Sequence, residues 1–117
     1  MSYTVGAHDT RPWGRWQVVH MGDGFIVKEI TVNAGEILSL QRHQHRSEHW
    51  VITEGEGQVT LGLEKVKVQR NSAVFIPAKQ WHRIENDSKE KLVFIEVQTG
   101  DILDENDIER KDDKYNR

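Results

Sequence analysis

The middle of the chain alternates short apolar runs with turn-forming residues. β-branched and aromatic side chains are frequent in six runs, at residues 25–32, 49–53, 58–63, 66–68, 73–76 and 91–97. Glycine, asparagine, aspartate and serine separate these runs, at residues 22–24, 33–35, 54–57, 70–72 and 86–88. Strands of this length, with turn signals about every ten residues, are typical of an antiparallel sandwich or barrel. No stretch between residues 15 and 100 has the periodicity of an amphipathic helix.

Length and composition narrow the class of protein further. A chain of 117 residues is long enough for one domain with one core. The absence of cysteine excludes disulfides, iron–sulfur clusters and thiolate metal sites. The net charge of −3 and the lack of a basic run do not predict a nucleic-acid partner. The sequence has no apolar stretch long enough to span a membrane and no signal-peptide pattern, so we expect a cytoplasmic protein.

Charge divides the chain into three predicted segments. Residues 1–10 form an N-terminal extension, residues 11–100 a β-barrel, and residues 101–117 a C-terminal tail. The C-terminal tail has seven acids and four bases, which account for the whole net charge. On composition alone, a solvated terminus is the ordinary interpretation of such a segment.

Histidine is the residue type that carries candidate chemistry. Three of the six histidines, His43, His45 and His49, lie within seven positions. Residues two apart in a strand point to the same face, so Gln41, His43 and His45 would share a face if a strand covers them. Glu48 lies just beyond, at the start of the next apolar run. Imidazole, amide and carboxylate ligands suit zinc, manganese, iron, nickel or cobalt, and a polar hairpin without a metal is the alternative.

The spacing of these residues resembles the two sequence motifs of the cupin superfamily. The first motif is matched, with five, one, four and six residues between its positions, by Gly35, Gln41, His43, Glu48 and Gly55. The second is matched, with five, four and three intervening residues, by Asn71, Pro77, His82 and Asn86. Gln41 replaces a histidine that many cupins have, and Asn71 and Lys79 stand where the second motif often has glycine. This resemblance implies an all-β fold, a single double-stranded β-helix or jelly-roll barrel, followed by a short C-terminal tail that is partly helical.

The chain is also similar to the type II mannose-6-phosphate isomerase domain over residues 11–117. The similarity lies in Arg11–Gly14, Leu38–Gln41, His45–Trp50, Ile76–Pro77, His82–Asn86, Glu96–Gly100 and Asp107–Arg117. It implies one divalent metal ion held by Gln41, His43, Glu48 and His82. Zinc is the ion we expect, with manganese, cobalt, nickel or iron as alternatives. The implied reaction interconverts mannose 6-phosphate and fructose 6-phosphate, for GDP-mannose and polysaccharide synthesis.

The similarity and the pattern of the predicted strands together indicate candidate roles for residues around the metal. Arginine is a natural phosphate ligand because its planar guanidinium forms paired hydrogen bonds. We therefore expect a phosphosugar to contact Arg11, Arg46, His49 and Arg117, and the C-terminal tail to fold back over the barrel mouth. The expected catalytic residues are Lys28, Glu96 and Arg110. Lys28 shares a strand face with apolar residues, so it is either buried with a shifted pKa or an edge lysine that reaches water.

Other functions stay open on the sequence. Many members of this family carry a nucleotidyltransferase domain ahead of the cupin domain, and we expect the cupin domain to stand alone here. The main alternative is a non-catalytic phosphosugar-binding module that partners a mannose-1-phosphate guanylyltransferase. An iron-dependent dioxygenase is a weaker alternative, because cupins host many chemistries. Small cupins often pair through sheet edges, so we expect a homodimer.

Overall fold

The structure, a computed structural model, describes residues 3–114 as eleven β-strands without a helix. The strands are β1 (His8–Arg11), β2 (Gly14–Gly22), β3 (Phe25–Val32), β4 (Leu40–Arg42), β5 (Ser47–Glu54), β6 (Glu56–Leu61), β7 (Glu64–Gln69), β8 (Ala73–Ile76), β9 (His82–Glu85), β10 (Leu92–Thr99) and β11 (Glu109–Asp112). Residues 3–114 contain no helix with the length and hydrophobicity needed to cross a bilayer.

The strands form two antiparallel sheets that pack face to face. The six-stranded sheet has the order β1-β2-β3-β10-β5-β8, and the five-stranded sheet has the order β11-β4-β9-β6-β7. Inward-facing residues of both sheets make the main core, which includes Ile30, Ile52, Val59, Ile84 and Phe94. Because side chains alternate across each strand, the same inward faces that build this core also carry polar residues into the barrel.

Two apolar runs match their strands residue for residue, β3 and β8. The strands that were not predicted are β1, β2, β4, β9 and β11. Most of these are short and rich in charged or polar residues, with sequences such as HDTR in β1 and ERKD in β11. Pairing with a neighbouring strand determines the conformation of such segments, and local burial contributes little. Their sequences therefore lack the apolar alternation from which a strand can be predicted.

The expectation of a partly helical C-terminal tail is wrong for its described residues. Residues 109–112 form β11, which pairs antiparallel with β4. An ion pair between Arg42 and Glu109 at 3.1 Å and another between Arg83 and Asp112 at 3.0 Å join the tail to the sheet. The tail therefore supplies β11, the edge strand of the five-stranded sheet.

Backbone conformation explains both places where the second motif lacks its usual glycine. Asn71 and Lys79 are the non-glycine residues with positive φ among residues 3–114, at 77° and 72°. Glycine adopts this left-handed conformation without strain, whereas other residues incur a cost. At Lys79 the turn has a further consequence, since its backbone N–H donates to the carbonyl of His43 at 2.7 Å.

The segment before the barrel is part of the fold. β1 pairs with β2 at the edge of the six-stranded sheet. Tyr3 is buried and packs edge-on against Trp16, with ring centroids 5.8 Å apart. Tyr3, Val18 and Ile26 form a second, smaller core at this end of the molecule.

Candidate metal centre

A cavity of about 300 Å³ opens between the two sheets. Its wall includes residues from both sheets and from the C-terminal tail. Nine of the eleven predicted site residues line it: Arg11, Lys28, Gln41, His43, Arg46, Glu48, His82, Glu96 and Arg110. The fold thus brings together residues that lie up to 99 positions apart in the chain.

Three buried side chains converge at the bottom of the cavity. His43 Nε2 lies 3.2 Å from one oxygen of Glu48, and His82 Nε2 lies 3.9 Å from the other. One possible ligand atom from each of the three lies within 4.8 Å of the others. Glu48 comes from β5, His82 from β9, and His43 from the segment that follows β4.

Hydrogen bonds fix which nitrogen of each imidazole faces the cavity. His43 Nδ1 donates to the carbonyl of Asp107 at 2.7 Å, and His82 Nδ1 donates to the carbonyl of Gln80 at 2.9 Å. A carbonyl only accepts, so in a neutral imidazole both Nε2 atoms carry lone pairs. These lone pairs lie beside a carboxylate that also only accepts. Arg46 contacts two of these acceptors, His43 Nε2 and an oxygen of Glu48, and a set of neutral imidazoles with a carboxylate also fits a divalent metal ion.

The charges of the cluster keep its ligands in their metal-binding forms. Burial lowers the pKa of His43 to about 4, against the opposing effect of Glu48, and burial likewise lowers the pKa of His82. Burial alone would raise the pKa of Glu48, but Arg46 and the two histidines outweigh it and hold that pKa at about 2. Neutral imidazoles and an ionised carboxylate are the states that bind metals.

Neighbouring donors orient the carboxylate of Glu48. Arg46 Nε donates to one oxygen at 2.8 Å, and Trp50 Nε1 donates to the other at 2.9 Å. Arg46 also places an Nη within 3.2 Å of His43 Nε2. Arg46 is itself buried, so the cluster holds one positive charge in contact with both Glu48 and His43.

Gln41 lies next to this cluster. It is half-buried in β4, lines the cavity and is the β-sheet partner of His82. Its Nε2 donates weakly to the carbonyl of Ser39 at 3.4 Å, so Oε1 is the amide atom suited to a cation. β4 ends at Arg42, and therefore the predicted shared face of Gln41, His43 and His45 does not extend to His45, which is exposed.

A buried lysine and glutamate face each other across two strands on another wall. Lys28 in β3 pairs in register with Glu96 in β10. Lys28 Nζ donates to Tyr3 Oη at 3.0 Å and lies 4.1 Å and 4.5 Å from the ring centroids of Tyr3 and Trp16. Gln98 Nε2 donates to Glu96 at 2.6 Å. Of the two alternatives for Lys28, a buried ammonium or an edge lysine that reaches water, the structure has the first, since Ile26, Lys28, Ile30 and Val32 are all buried.

The surroundings shift the pKa values of this pair toward neutrality. Burial lowers the pKa of Lys28 to about 8, although Glu96 opposes the shift. Burial and the nearby charge of Glu48 raise the pKa of Glu96 to about 7, against the effect of Lys28. Groups with pKa values near 7 in a cavity are suited to exchange protons with a ligand.

His49 is a predicted site residue that the structure places away from the cavity. His49 is exposed on the outer face of β5 and packs against Phe75, with ring centroids 4.6 Å apart. It points outward because it alternates with the inward-facing Glu48 and Trp50. Arg117 lies outside the described residues.

Several residues of the cavity wall were not predicted from the sequence. Tyr3 lines it from the N-terminal segment, and Glu105, Asn106 and Ile108 line it from the C-terminal tail. Composition gave little signal for these residues, because both segments are mostly polar. Tyr3 is the one aromatic residue among residues 1–10, and this was the only sign in the sequence that it is buried.

Two solved structures have a fold similar to that of this chain. The capsular polysaccharide assembling protein CapF from Staphylococcus aureus superposes with a TM-score of 0.79, at 19% identity, over 95% of this chain and 35% of that one. The cupin domain of Cnp3 from Schizosaccharomyces pombe gives 0.72, at 16% identity, over 74% and 61% of the two chains. At this identity the likeness concerns the fold alone, and it confirms the predicted cupin jelly roll.

Sequence relatives are closer. The chain is 46% identical to the xanthan biosynthesis protein XanB of Xanthomonas campestris. This match covers 92% of the present chain and 23% of XanB. The alginate biosynthesis protein AlgA of Pseudomonas aeruginosa is 47% identical, and a mannose-1-phosphate guanylyltransferase of Escherichia coli is 42% identical, each matched over 22% of its length. The chain therefore spans less than a quarter of these curated relatives.

The match to a family model covers almost the whole chain. It extends from residue 2 to residue 113 and so includes the cavity, the cluster of His43, Glu48 and His82, and most of the C-terminal tail. The predicted resemblance is thereby confirmed, and the chain belongs to the mannose-6-phosphate isomerase C-terminal family.

Proposed function

We propose that this protein is a metal-dependent isomerase that interconverts mannose 6-phosphate and fructose 6-phosphate through an enediol. The observation that carries the proposal is one cavity that combines a buried donor set for a cation, a Lys–Glu pair with pKa values near neutrality, and several arginines. Family membership supports the choice of substrate.

The proposed ligands of the ion are Gln41, His43, Glu48 and His82. A bound divalent cation supplies Lewis-acid polarisation of sugar oxygens and stabilises negative charge that develops on them. The chain itself provides the neutral imidazoles, through the hydrogen bonds at both Nδ1 atoms. Arg46 and Trp50 hold the carboxylate of Glu48 in a fixed orientation.

Glu96 is the proposed base of the proton transfer between C1 and C2. With a pKa raised to about 7, its carboxylate is a stronger base than an exposed glutamate and is still substantially ionised at neutral pH. Lys28, with its pKa lowered to about 8, is mostly protonated there and donates a hydrogen bond or a proton to a sugar oxygen. Their register pairing keeps base and acid side by side.

The arginines are the proposed phosphate ligands. Arg11 and Arg110 line the cavity from β1 and β11, on opposite sheets. Arg46 uses part of its guanidinium for Glu48 and His43, and a guanidinium has five N–H donors in all. A phosphate held between the two sheets would place the sugar ring toward the metal ligands. Arg110 is thus proposed to bind the phosphate and to stabilise negative charge that develops in the reaction. The role of Arg117 as a phosphate ligand stays a prediction.

The test is a coupled assay of fructose 6-phosphate formation from mannose 6-phosphate. The protein is stripped of metal and re-supplied with zinc, manganese, cobalt, nickel or iron in turn. We expect turnover with at least one ion, and a loss of 100-fold or more in Gln41→Ala, His82→Ala and Glu96→Gln. His20→Ala is the matched control, since His20 is an exposed histidine that packs on Phe25 outside the cavity.

The absence of turnover with every ion, in protein that mannose 6-phosphate still stabilises against heat, would contradict the isomerase and support the phosphosugar-binding module. A role in polysaccharide precursor synthesis follows from the proposed reaction and from what the relatives' names say of them. The homodimer and the cytoplasmic location stay predictions.

A further inference from the structure

Asp107, in the C-terminal tail, forms three hydrogen bonds with the segment that carries His43. Asp107 offers all three of its oxygens to residues 43–45, which we call the ligand loop. Its backbone carbonyl accepts from His43 Nδ1 at 2.7 Å. Its two carboxylate oxygens accept from the backbone N–H groups of Gln44 and His45, both at 2.9 Å.

These three hydrogen bonds have different consequences. The carbonyl bond fixes the His43 tautomer that leaves Nε2 free of a proton and facing Glu48. The two carboxylate bonds hold the peptide of residue 107 against the ligand loop. The side chain of Asp107 therefore determines where its own carbonyl lies, and through it the orientation of the imidazole.

Local structure does not otherwise fix this loop. β4 ends at Arg42 and β5 begins at Ser47, so His43 lies in the intervening turn and not in a strand. The backbone carbonyl of His43 accepts a hydrogen bond from the Lys79 N–H at 2.7 Å. That contact positions the backbone of His43, whereas the carbonyl of Asp107 contacts the outer nitrogen of its ring.

The rest of the tail is attached by contacts that avoid His43. Glu109 binds Arg42 and the side chain of Gln44, and Asp112 binds Arg83. The tail can thus lose one of these carboxylates without losing a hydrogen bond to the imidazole. This separation makes the contribution of Asp107 measurable.

We infer that Asp107 is a positioning residue, which couples docking of the C-terminal tail to the metal affinity of the site. The inference rests on the metal site of the proposed function, but not on the isomerase reaction. Since coupling between two binding equilibria is reciprocal, a bound metal also holds the tail more tightly against the sheet.

The experiment measures metal affinity in the full chain, by competition with a chromophoric chelator for Zn²⁺ and Co²⁺. We expect Asp107→Ala to weaken binding by about 10- to 100-fold, the range typical of partners that orient a metal-binding histidine. Asp107→Asn keeps one acceptor and should show a smaller loss. Asp112→Asn is the matched control, an acid in the same tail whose partner is Arg83, and should change the affinity less than about threefold.

A second readout uses the metal-free protein. Two-bond proton–nitrogen NMR spectra report the tautomer of His43, which we expect to be the Nδ1–H form in the wild type and a mixture in Asp107→Ala. Addition of metal should slow proteolysis within residues 101–114 in the wild type. The same addition should slow proteolysis less in Asp107→Ala. Tryptophan fluorescence identifies a variant that fails to fold. If Asp107→Ala fails to fold, the metal affinity and tautomer of Asp107→Asn test the inference.

Unchanged affinity and tautomer in folded Asp107 variants would overturn the inference. So would an equal loss of affinity in Asp112→Asn, because general attachment of the tail would then account for the effect. Failure of the wild type to bind any metal would instead contradict the proposed metal site, while the tautomer measurement would still decide the role of Asp107.

Discussion

Glu96 should make the metal-free protein less stable as the pH rises, and Glu96→Gln should remove this effect. Its pKa is raised from 4.5 to about 7 by burial and by Glu48, so the folded state binds its proton more tightly than the unfolded state. The stabilising contribution is therefore complete below pH 4.5 and is lost as the pH rises through about 7. A difference of about 2.5 pKa units corresponds to about 3 kcal/mol, of which about 2 kcal/mol falls between pH 5 and pH 8.

The assay is urea unfolding in the presence of a chelator, followed by tryptophan fluorescence, at pH 5 and at pH 8. We expect the free energy of unfolding of Glu96→Gln, relative to wild type, to increase by about 2 kcal/mol between these two pH values. Groups that do not interact with Glu96 titrate in both proteins and cancel in this difference. Loss of Glu96 also lowers the pKa of Lys28 further, which changes the difference in the same direction. Glutamine retains the size of the side chain, so packing against β3 and β5 should change little.

Glu29→Gln is the control, because Glu29 lies in the same strand as Lys28 but is exposed. Its pH dependence should follow that of the wild type. If Glu96→Gln also follows the wild type to within about 0.5 kcal/mol, the burial argument for the raised pKa is refuted. The assignment of Glu96 as the base would then lose its main physical support.

Three further predictions address the Lys–Glu pair and two turns. Lys28→Met should reduce isomerase turnover by 100-fold or more. It should also lower the urea midpoint more at pH 8 than at pH 5, because it removes the hydrogen bond to Tyr3 and leaves an ionised Glu96 without its cationic neighbour; an equal change at both pH values would contradict this. Gly55→Ala should lower the free energy of unfolding by at least about 2 kcal/mol, because its φ is 82° and a methyl group would meet the Lys91 carbonyl. Gly24→Ala is the control, since Gly24 has a similar φ of 79° but open space around it, and should lower the free energy by only about 1 kcal/mol. Lys79→Gly should raise the free energy of unfolding by about 0.5 kcal/mol, since relief of the left-handed conformation exceeds the added entropy of the unfolded chain; a destabilised variant would show that this turn carries no strain.

Local sequence predicted the strands that alternate clearly between apolar and polar residues. The eight residues of β3 and the four of β8 were marked by β-branched side chains and flanking turn residues. It could not predict β11, whose four residues are all charged and exposed. Backbone hydrogen bonds to β4 and ion pairs to Arg42 and Arg83 hold that strand, and these partners lie far away in the chain.

His49 shows a different kind of gap. The alternation that places Glu48 and Trp50 inside the barrel already implies that His49 points outward, so the information was present in the sequence. His49 was nevertheless included in the expected site, because of the resemblance to a family motif. The outward position follows from strand geometry, which takes precedence over proximity in sequence.

The sequence by itself determined the all-β class, the two motifs and hence the candidate ligands, because short-range periodicity and fixed spacings are properties of the chain alone. Only the tertiary structure decided that Glu96 lies opposite Lys28, that Gln41 pairs with His82, and that Asp107 orients His43 across 64 positions. It also decided the charge states of these groups. Burial and neighbouring charges set a pKa, and both arise only when distant segments pack around a common cavity.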